Sequence, residues 1–190
     1  MKQTVISLAV TGFLLSGCSS APLRFYTLGA PAIEGASLPL RANTPVLTVD
    51  PVLIPDYLDN QDMIIRKGGL LDRSPNSRWA SRLSRGITDL MTAQLSQAKP
   101  SIFITSHPST ATPATRLSVV ITRLDITSEG HGTLEADWSF IPSEEQKPIV
   151  RHRAVFSTQG QSTTDAGNAA LTHSLVEQLS TAISASAPVF

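Results

Sequence analysis

Cysteine is almost missing from this sequence, since Cys18 is the only one among 190 residues. A single cysteine excludes an internal disulfide and a zinc site of the Cys-x-x-Cys kind. Histidines are also few, and no HExxH, GxSxG or glycine-rich phosphate loop occurs. We therefore expect a protein without catalytic activity, cofactor or metal site. The four histidines without a metal-ligand spacing are His107, His131, His152 and His173.

The sequence also lacks an excess of charge and a long apolar run. Fifteen Lys and Arg balance fifteen Asp and Glu, and no block of like charge indicates a nucleic-acid partner. The apolar run from Val5 to Leu15 follows one positive charge, Lys2. A membrane-spanning helix needs about 20 apolar residues, so this run has the proportions of the apolar region of a secretory signal peptide.

The segment after this run has a specific pattern. Leu15–Cys18 reads Leu-Ser-Gly-Cys and resembles the lipobox of bacterial lipoproteins. It predicts a signal peptide over 1–17, cleavage before Cys18, and covalent diacylglyceryl and N-acyl lipid on Cys18. The alternative, an ordinary buried thiol, leaves a lone reactive cysteine in an exported protein unexplained. By analogy with the sorting rule of Gram-negative lipoproteins, Ser19 favours the periplasmic face of the outer membrane over retention in the inner membrane.

The chain after Cys18 divides into a tether and a domain. Residues 18–43 are rich in Ser, Ala, Pro and Gly, which is typical of a linker. Within them, Arg24–Leu28 has β-forming composition and is either a short first strand or a linker with chance aromatic residues. Residues 44–190 are long enough for a single folded domain.

Two segments have helical periodicity. The first begins at Ser77 as a plausible N-cap and carries Trp79, Leu83 and further apolar residues on one face, as far as Leu95. Trp79 is expected in the core more than at an interface. The second helix is expected over 164–187.

Strand patterns fill most of the remaining chain. The side-chain phase changes after Ile121, which predicts a β-bulge near Thr122 or Arg123. Arg151 and Arg153 are expected opposite Glu135 and Asp137 on neighbouring strands. The predicted strands span 45–52, 63–66, 102–104, 115–128, 134–140 and 150–156. The order β-β-α-β, β-β-β-α indicates an α+β fold in which two amphipathic helices pack on one face of a largely antiparallel sheet.

The ordered motifs resemble a known family. Arg24–Leu28, Val49–Asp59, Met63–Arg66 and Arg78–Leu83 look like the ABC-type transport auxiliary lipoproteins of the PqiC (YmbA) type. The resemblance covers the mature chain in order and length, although no single motif is decisive. It implies a non-catalytic outer-membrane lipoprotein that works with a mammalian-cell-entry (MCE) domain protein and inner-membrane transporter components in lipid transport or membrane integrity. It also implies a homo-oligomeric ring.

An exposed aromatic residue between carboxylates is a candidate contact for a partner or a second subunit. Tyr57 and Leu58, bracketed by Asp56 and Asp59, are the best candidates, together with Tyr26; the alternative is that Tyr57 and Leu58 belong to the core. Two other functions stay open. The protein either binds a lipid or small hydrophobic ligand between its helices and sheet or, as a weaker alternative, is a hydrolase.

Overall fold

The structure is a computed structural model that describes residues 21–29, 41, 43–107, 112–161 and 164–188. The predicted signal peptide, Cys18, Ser19 and most of the predicted tether lie outside the described residues. The strand alternative holds for the aromatic segment of the tether, because residues 24–26 pair with a strand of the domain.

The described chain contains eight strands and two helices. They occur as two successive groups of four strands, each followed by one helix. The first group is β1 (Arg24–Tyr26), β2 (Val46–Val49), β3 (Asp62–Lys67), β4 (Leu70–Trp79) and α1 (Leu83–Ala98). The second group is β5 (Phe103–Thr105), β6 (Thr115–Ile126), β7 (His131–Pro142), β8 (Val150–Gln159) and α2 (Asp165–Ser186).

The strands form two sheets. A larger sheet has the order β5-β2-β6-β7-β8, and a smaller sheet has the order β1-β4-β3. The predicted α+β class is confirmed. The pairing is more mixed than expected, because β2 pairs in parallel with β5 and β6, and β1 pairs in parallel with β4. The long pairs β6–β7 and β7–β8 and the hairpin β3–β4 are antiparallel.

The core lies between the two helices and the inner face of the larger sheet. Along β7, Leu134, Ala136, Trp138 and Phe140 are buried and alternate with half-buried polar residues, as the sequence pattern predicts. They meet the buried face of α2, whose apolar residues recur at helical spacing. That face consists of Leu171, Leu175, Val176, Leu179 and Ile183.

The predicted β-bulge is confirmed in β6. The register between β6 and β7 shifts between Ile121 and Arg123. Before the shift the odd-numbered residues 117, 119 and 121 face the core, and after it Leu124 and Ile126 do so. The following hairpin turn contains Gly130 with φ 82°, a left-handed conformation that favours glycine.

The predicted start of the first helix is wrong. Ser77 and Trp79 belong to β4, and α1 begins only at Leu83. Both residues face inward along an extended strand: Trp79 is buried, and its backbone N–H donates to the carbonyl of Gln61 at 2.7 Å. Trp79 precedes Leu83 by four residues, which is also the spacing of one helical turn. The last buried residue of the strand therefore fits the helical pattern of the sequence although it is not helical. The core position of Trp79 is confirmed.

The strand β4 is irregular in the middle. Its register against β3 moves from Arg73 opposite Ile64 to Arg78 opposite Asp62, so several residues of β4 have no partner in β3. Pro75 lies in this irregular part, where its missing N–H breaks no ladder bond. The polar, proline-containing sequence therefore concealed a strand that tertiary pairing maintains.

The predicted cross-strand ion pairs are half correct. Arg153 lies opposite Asp137, and its Nε and Nη2 donate to that carboxylate at 2.6 and 2.8 Å. Arg151 lies opposite Ser139, and Glu135 lies opposite Val155 instead. The predicted pairing is therefore correct for Arg153 and Asp137 and wrong for Arg151 and Glu135.

Candidate interaction surface

The loop Pro55–Asn60 connects the segment after β2 to β3 and contains most of the predicted contact residues. Its own hydrogen bonds fix its shape: Leu58 N–H donates to the Pro55 carbonyl at 2.9 Å, and Asp59 N–H donates to the Asp56 carbonyl at 3.1 Å. The Asn60 side chain donates to the Tyr57 carbonyl at 2.9 Å. A loop held in this way presents its side chains in one arrangement.

The two central residues of the loop point in different directions. Leu58 is 5% exposed and belongs to the core, as the alternative interpretation expected. Tyr57 is 37% exposed and remains on the surface, as does Asp56. The contact role of Tyr57 and Asp56 stays a prediction, whereas the Leu58 side chain offers no surface to a partner.

The loop is fastened to the N-terminus of α1. The Ser84 hydroxyl donates to Asp59 Oδ1 at 2.6 Å, and the Leu83 N–H donates to the Asn60 carbonyl at 3.1 Å. Arg82 at the N-cap position makes no side-chain cap, so the loop supplies partners for the first turn. The negative charge of Asp59 also suits the positive end of the helix dipole. Asp59 therefore has a structural task besides any contact role.

Tyr26 lies on the other side of the same helix end. It is half-buried against the core at the end of β1, and its carbonyl accepts from the Ala80 N–H at 2.7 Å. Its partner in β4 is Trp79. The structure thus brings Tyr26 and Asp59 to the start of α1, while the Tyr57 hydroxyl is turned towards β3.

A chain of charged side chains continues from Tyr57 to the larger sheet. Arg66 Nη2 approaches the Tyr57 hydroxyl at 3.4 Å, and Arg66 Nε donates to Asp125 Oδ1 at 2.7 Å. Arg123 Nε donates to the other oxygen of Asp125 at 2.6 Å, and its Nη1 lies 3.3 Å from Glu135. Only 6% of the Asp125 side chain is exposed. We refer to Tyr57, Arg66, Arg123, Asp125 and Glu135 as the inter-sheet network.

The β-bulge explains why this network exists. Without the extra residue in β6, position 125 would share the inward phase of residues 117–121. With it, Asp125 lies on the opposite face from Leu124 and Ile126 and meets Arg66 from β3. The hydrogen bond to Asp125 raises the pKa of both the Arg66 and the Arg123 guanidinium above the ordinary value. Asp125 is the residue that the sequence interpretation missed, although the sequence does show the phase change that turns it to the opposite face of β6.

The histidines lie far apart in the structure. His107 faces Arg85 at 3.1 Å, His152 stacks on Trp138 with ring centroids 5.3 Å apart, and His173 lies 3.5 Å from Glu177. Among the described residues, no three His, Cys, Asp or Glu side chains gather closely enough to hold a metal ion. No helix in the described ranges is long and apolar enough to cross a bilayer.

The sequence profile of one protein family matches residues 26–184, which is most of the chain and includes Tyr26, the Tyr57 loop and the inter-sheet network. The family is described as the ABC-type transport auxiliary lipoprotein component. The chain belongs to this family. The resemblance inferred from the motifs is therefore confirmed, and the protein is an auxiliary lipoprotein of a transport system and associates with a membrane.

Relatives of this auxiliary lipoprotein include a named transport component. The intermembrane transport lipoprotein PqiC of Escherichia coli (strain K12) is 24% identical over 140 residues, which cover 73% of each chain. An uncharacterized protein of known crystal structure superposes with a TM-score of 0.72 at 18% identity, covering 87% of this chain and 98% of its own. A Xanthomonas campestris protein superposes with a TM-score of 0.63 at 15% identity, covering 84% of this chain and 91% of its own. These two structures support the fold alone.

The first prediction concerns the inter-sheet network. Asp125→Ala should lower the free energy of unfolding by about 1–3 kcal/mol, because two guanidinium groups lose a shared, buried acceptor. Urea unfolding of the mature domain measures the change.

The matched control is Asp137→Ala. The hydrogen bonds from Arg153 to Asp137 are as short, but the Arg153 side chain is 81% exposed, so the free energy of unfolding should hardly change. Equal losses in the two variants would contradict a special role for the buried carboxylate.

Proposed function

We propose that this protein is an outer-membrane lipoprotein that serves as a non-catalytic docking subunit of an MCE-type intermembrane lipid-transport system. Its family and its likeness to a protein named as an intermembrane transport lipoprotein support this function. In this function the domain contributes a surface and a position on the membrane, and chemistry is left to other components.

The observation that carries the proposal is the rigid presentation of Tyr57. The loop around it is bonded internally, to the N-terminus of α1 and, through Arg66, to Asp125 of the larger sheet. A contact residue on a preorganised loop loses little conformational freedom on binding, which favours recognition of a partner. The partner we propose is the MCE-domain protein, which also connects this lipoprotein to inner-membrane transporter components.

Anchoring is the second part of the proposal. Lipid on Cys18 would hold the domain on a membrane, because each buried CH₂ group contributes about 0.8 kcal/mol and two or more chains make dissociation slow. Ser19 supports the periplasmic face of the outer membrane as the site of anchoring.

Self-association into a ring is the third part. The strand β8 lies at the edge of the larger sheet and is ten residues long. The Gly160 N–H donates to the Gly130 carbonyl, so the even-numbered residues of β8 are hydrogen-bonded to β7. The odd-numbered residues, among them Arg151, Arg153 and Val155, therefore direct their N–H groups away from β7. A long edge with outward N–H groups is suited to pairing with a second copy.

A cavity favours the second candidate function, binding of a lipid or small hydrophobic ligand. It measures about 410 Å³, within the roughly 300–1,000 Å³ range of ligand sites. It lies at one end of the larger sheet, near the C-terminal end of α2. Its apolar lining includes Pro45, Phe140, Pro142, Pro148, Val150 and Pro188.

The anchor is tested in cells by labelling with radioactive palmitate. Cys18→Ser should abolish the label and leave the protein unprocessed, because no thiol remains to accept the lipid. Ser19→Asp is the control: it should keep the label but move the protein to the inner-membrane fraction. Normal processing and labelling of the Cys18→Ser variant would refute lipid attachment at this residue.

The docking surface is tested with Tyr57→Ala in the lipidated protein. If Tyr57 is a buried anchor of the complex, its truncation costs about 2 kcal/mol, or roughly thirtyfold in Kd for the MCE-domain partner. Phe103→Ala is the matched control, because Phe103 is also aromatic and 37% exposed but lies on β5. Unchanged binding by both variants in a pull-down titration would remove Tyr57 from the contact.

The ring is tested by native mass spectrometry of Val155→Pro. Proline at an outward N–H position leaves the bonds to β7 intact but blocks pairing with another strand, so the variant should be monomeric and folded. Val155→Thr keeps the N–H and the shape and should assemble like the natural chain. Assembly of the proline variant would exclude this edge, and phospholipid bound to a monomeric natural chain would favour the second candidate function.

A further inference from the structure

Exposed apolar side chains gather on the smaller sheet. Leu23 is 51% exposed, Phe25 62%, Leu70 70% and Leu71 40%. All four belong to β1, to the residues just before it, or to the start of β4 at the tip of the β3–β4 hairpin. Large apolar side chains left exposed in one part of a folded domain indicate a surface that another molecule or a membrane covers. We refer to these four residues as the hairpin patch.

The strand register places most of the hairpin patch on one face. Phe25 lies opposite Arg78, and Arg78 lies opposite Asp62. Asp62 and Arg66 share a face of β3 because they are an even number of residues apart, and Arg66 lies opposite Leu71. Phe25 and Leu71 therefore share a face, and Leu70 projects from the hairpin end beside them.

The direction of β1 brings the N-terminal chain towards the hairpin tip. β1 is parallel to β4 and β3 is antiparallel to β4, so the chain traced back from Phe25 follows β3 from Asp62 towards Lys67. The five steps from Asp62 to Lys67 carry the tip roughly 17 Å beyond the level of Phe25 at ~3.3 Å per residue. The seven residues from Phe25 back to Cys18 can span at most about 25 Å.

The second length exceeds the first by only about 8 Å. A lipid attached to Cys18 therefore cannot lie far beyond the hairpin tip, and the tether before β1 has no length to lift the smaller sheet away from the bilayer. The longer part of the tether, after β1, separates the smaller sheet from β2 and not from the anchor.

The charges beside the hairpin patch suit lipid headgroups. Arg24 is exposed on β1, and Lys67, Arg73 and Arg78 flank the tip and the face. The nearby carboxylates are Asp62, which lies 3.0 Å from Arg73 and 3.1 Å from Arg78, and Asp72, which lies 2.7 Å from Lys67. Four cations against two carboxylates leave the surface positive, which suits the phosphate groups of lipids.

We propose that the tip of the β3–β4 hairpin inserts Leu70 and Leu71 into the headgroup region of the bilayer that holds Cys18. The proposal rests on lipid attachment at Cys18 in the proposed function. Insertion gives the anchored domain a second point of contact, so its orientation on the membrane is fixed and not only its distance. A second copy of the chain or a protein partner covering the same patch are the alternatives that the experiment separates.

The test uses the mature chain, coupled through its only cysteine to a maleimide phospholipid in phosphatidylethanolamine–phosphatidylglycerol vesicles. Leu70→Trp serves as a probe, and the signal of the natural chain, whose Trp79 and Trp138 are buried, is subtracted. The probe emission should shift to the blue on coupling, and lipids with brominated acyl chains should quench it severalfold more than the control probe. Leu53→Trp is that control, since Leu53 is 60% exposed but bridges to Val120 on the larger sheet.

Each outcome decides the proposal. Equal quenching of the two probes would overturn it, and so would a blue shift without vesicles that grows with protein concentration, which would indicate contact between copies. Leu71→Trp provides a second probe at the hairpin tip, where Leu71 is also exposed, should the first variant fail to fold. The coupling to the vesicles is chemical, so this test does not depend on lipid attachment in cells. Quenching of the probe on vesicles, together with no palmitate label on Cys18 in cells, would refute the cellular anchor alone. A palmitate label in cells without quenching on vesicles would refute the insertion alone.

Discussion

The phase change at the β6 bulge is the constraint on which the arrangement of the two sheets depends. It lets one strand bury residues 117–121 under the helices and still direct Asp125 to the opposite face. There the carboxylate accepts from Arg66 of the smaller sheet and from Arg123 of its own strand. A buried carboxylate with two guanidinium partners has little freedom to accept a different geometry, so the relative position of the sheets is specified as well as stabilised.

A second polar contact joins the smaller sheet to the body of the protein. The hydroxyls of Ser74 and Ser77 donate to Asp165 at 2.9 and 2.6 Å, at the first residue of α2. Asp165 also suits the positive end of that helix. The smaller sheet is therefore held at two places by carboxylates, one in a strand and one at a helix start, and its residues Met63 and Trp79 are buried.

Local patterns predicted the elements whose partners are adjacent in sequence. The alternation in β7, the bulge in β6 and the periodicity of α2 are properties of single segments, so they could be seen in the sequence. The strand β4 could not, because its polar residues and Pro75 are kept extended by β1 and by Asp165, which lies 91 positions from Ser74. Arg66, the partner of Asp125 in the smaller sheet, is likewise 59 positions away from it. The sequence also could not show that Leu58 is buried whereas the adjacent Tyr57 is exposed.

The smaller sheet connects the features on which the proposed function rests. Its first strand follows Cys18 within a few residues, its hairpin exposes Leu70, and Arg66 on β3 approaches Tyr57. A domain fixed to a bilayer through this sheet would therefore present the Tyr57 loop at a defined height and angle, because the same strands set both. The inter-sheet network through Asp125 then transmits that orientation to the larger sheet and its open β8 edge. The proposed docking function requires a fixed geometric relation between anchor, contact loop and assembly edge, and under that proposal the smaller sheet would provide it.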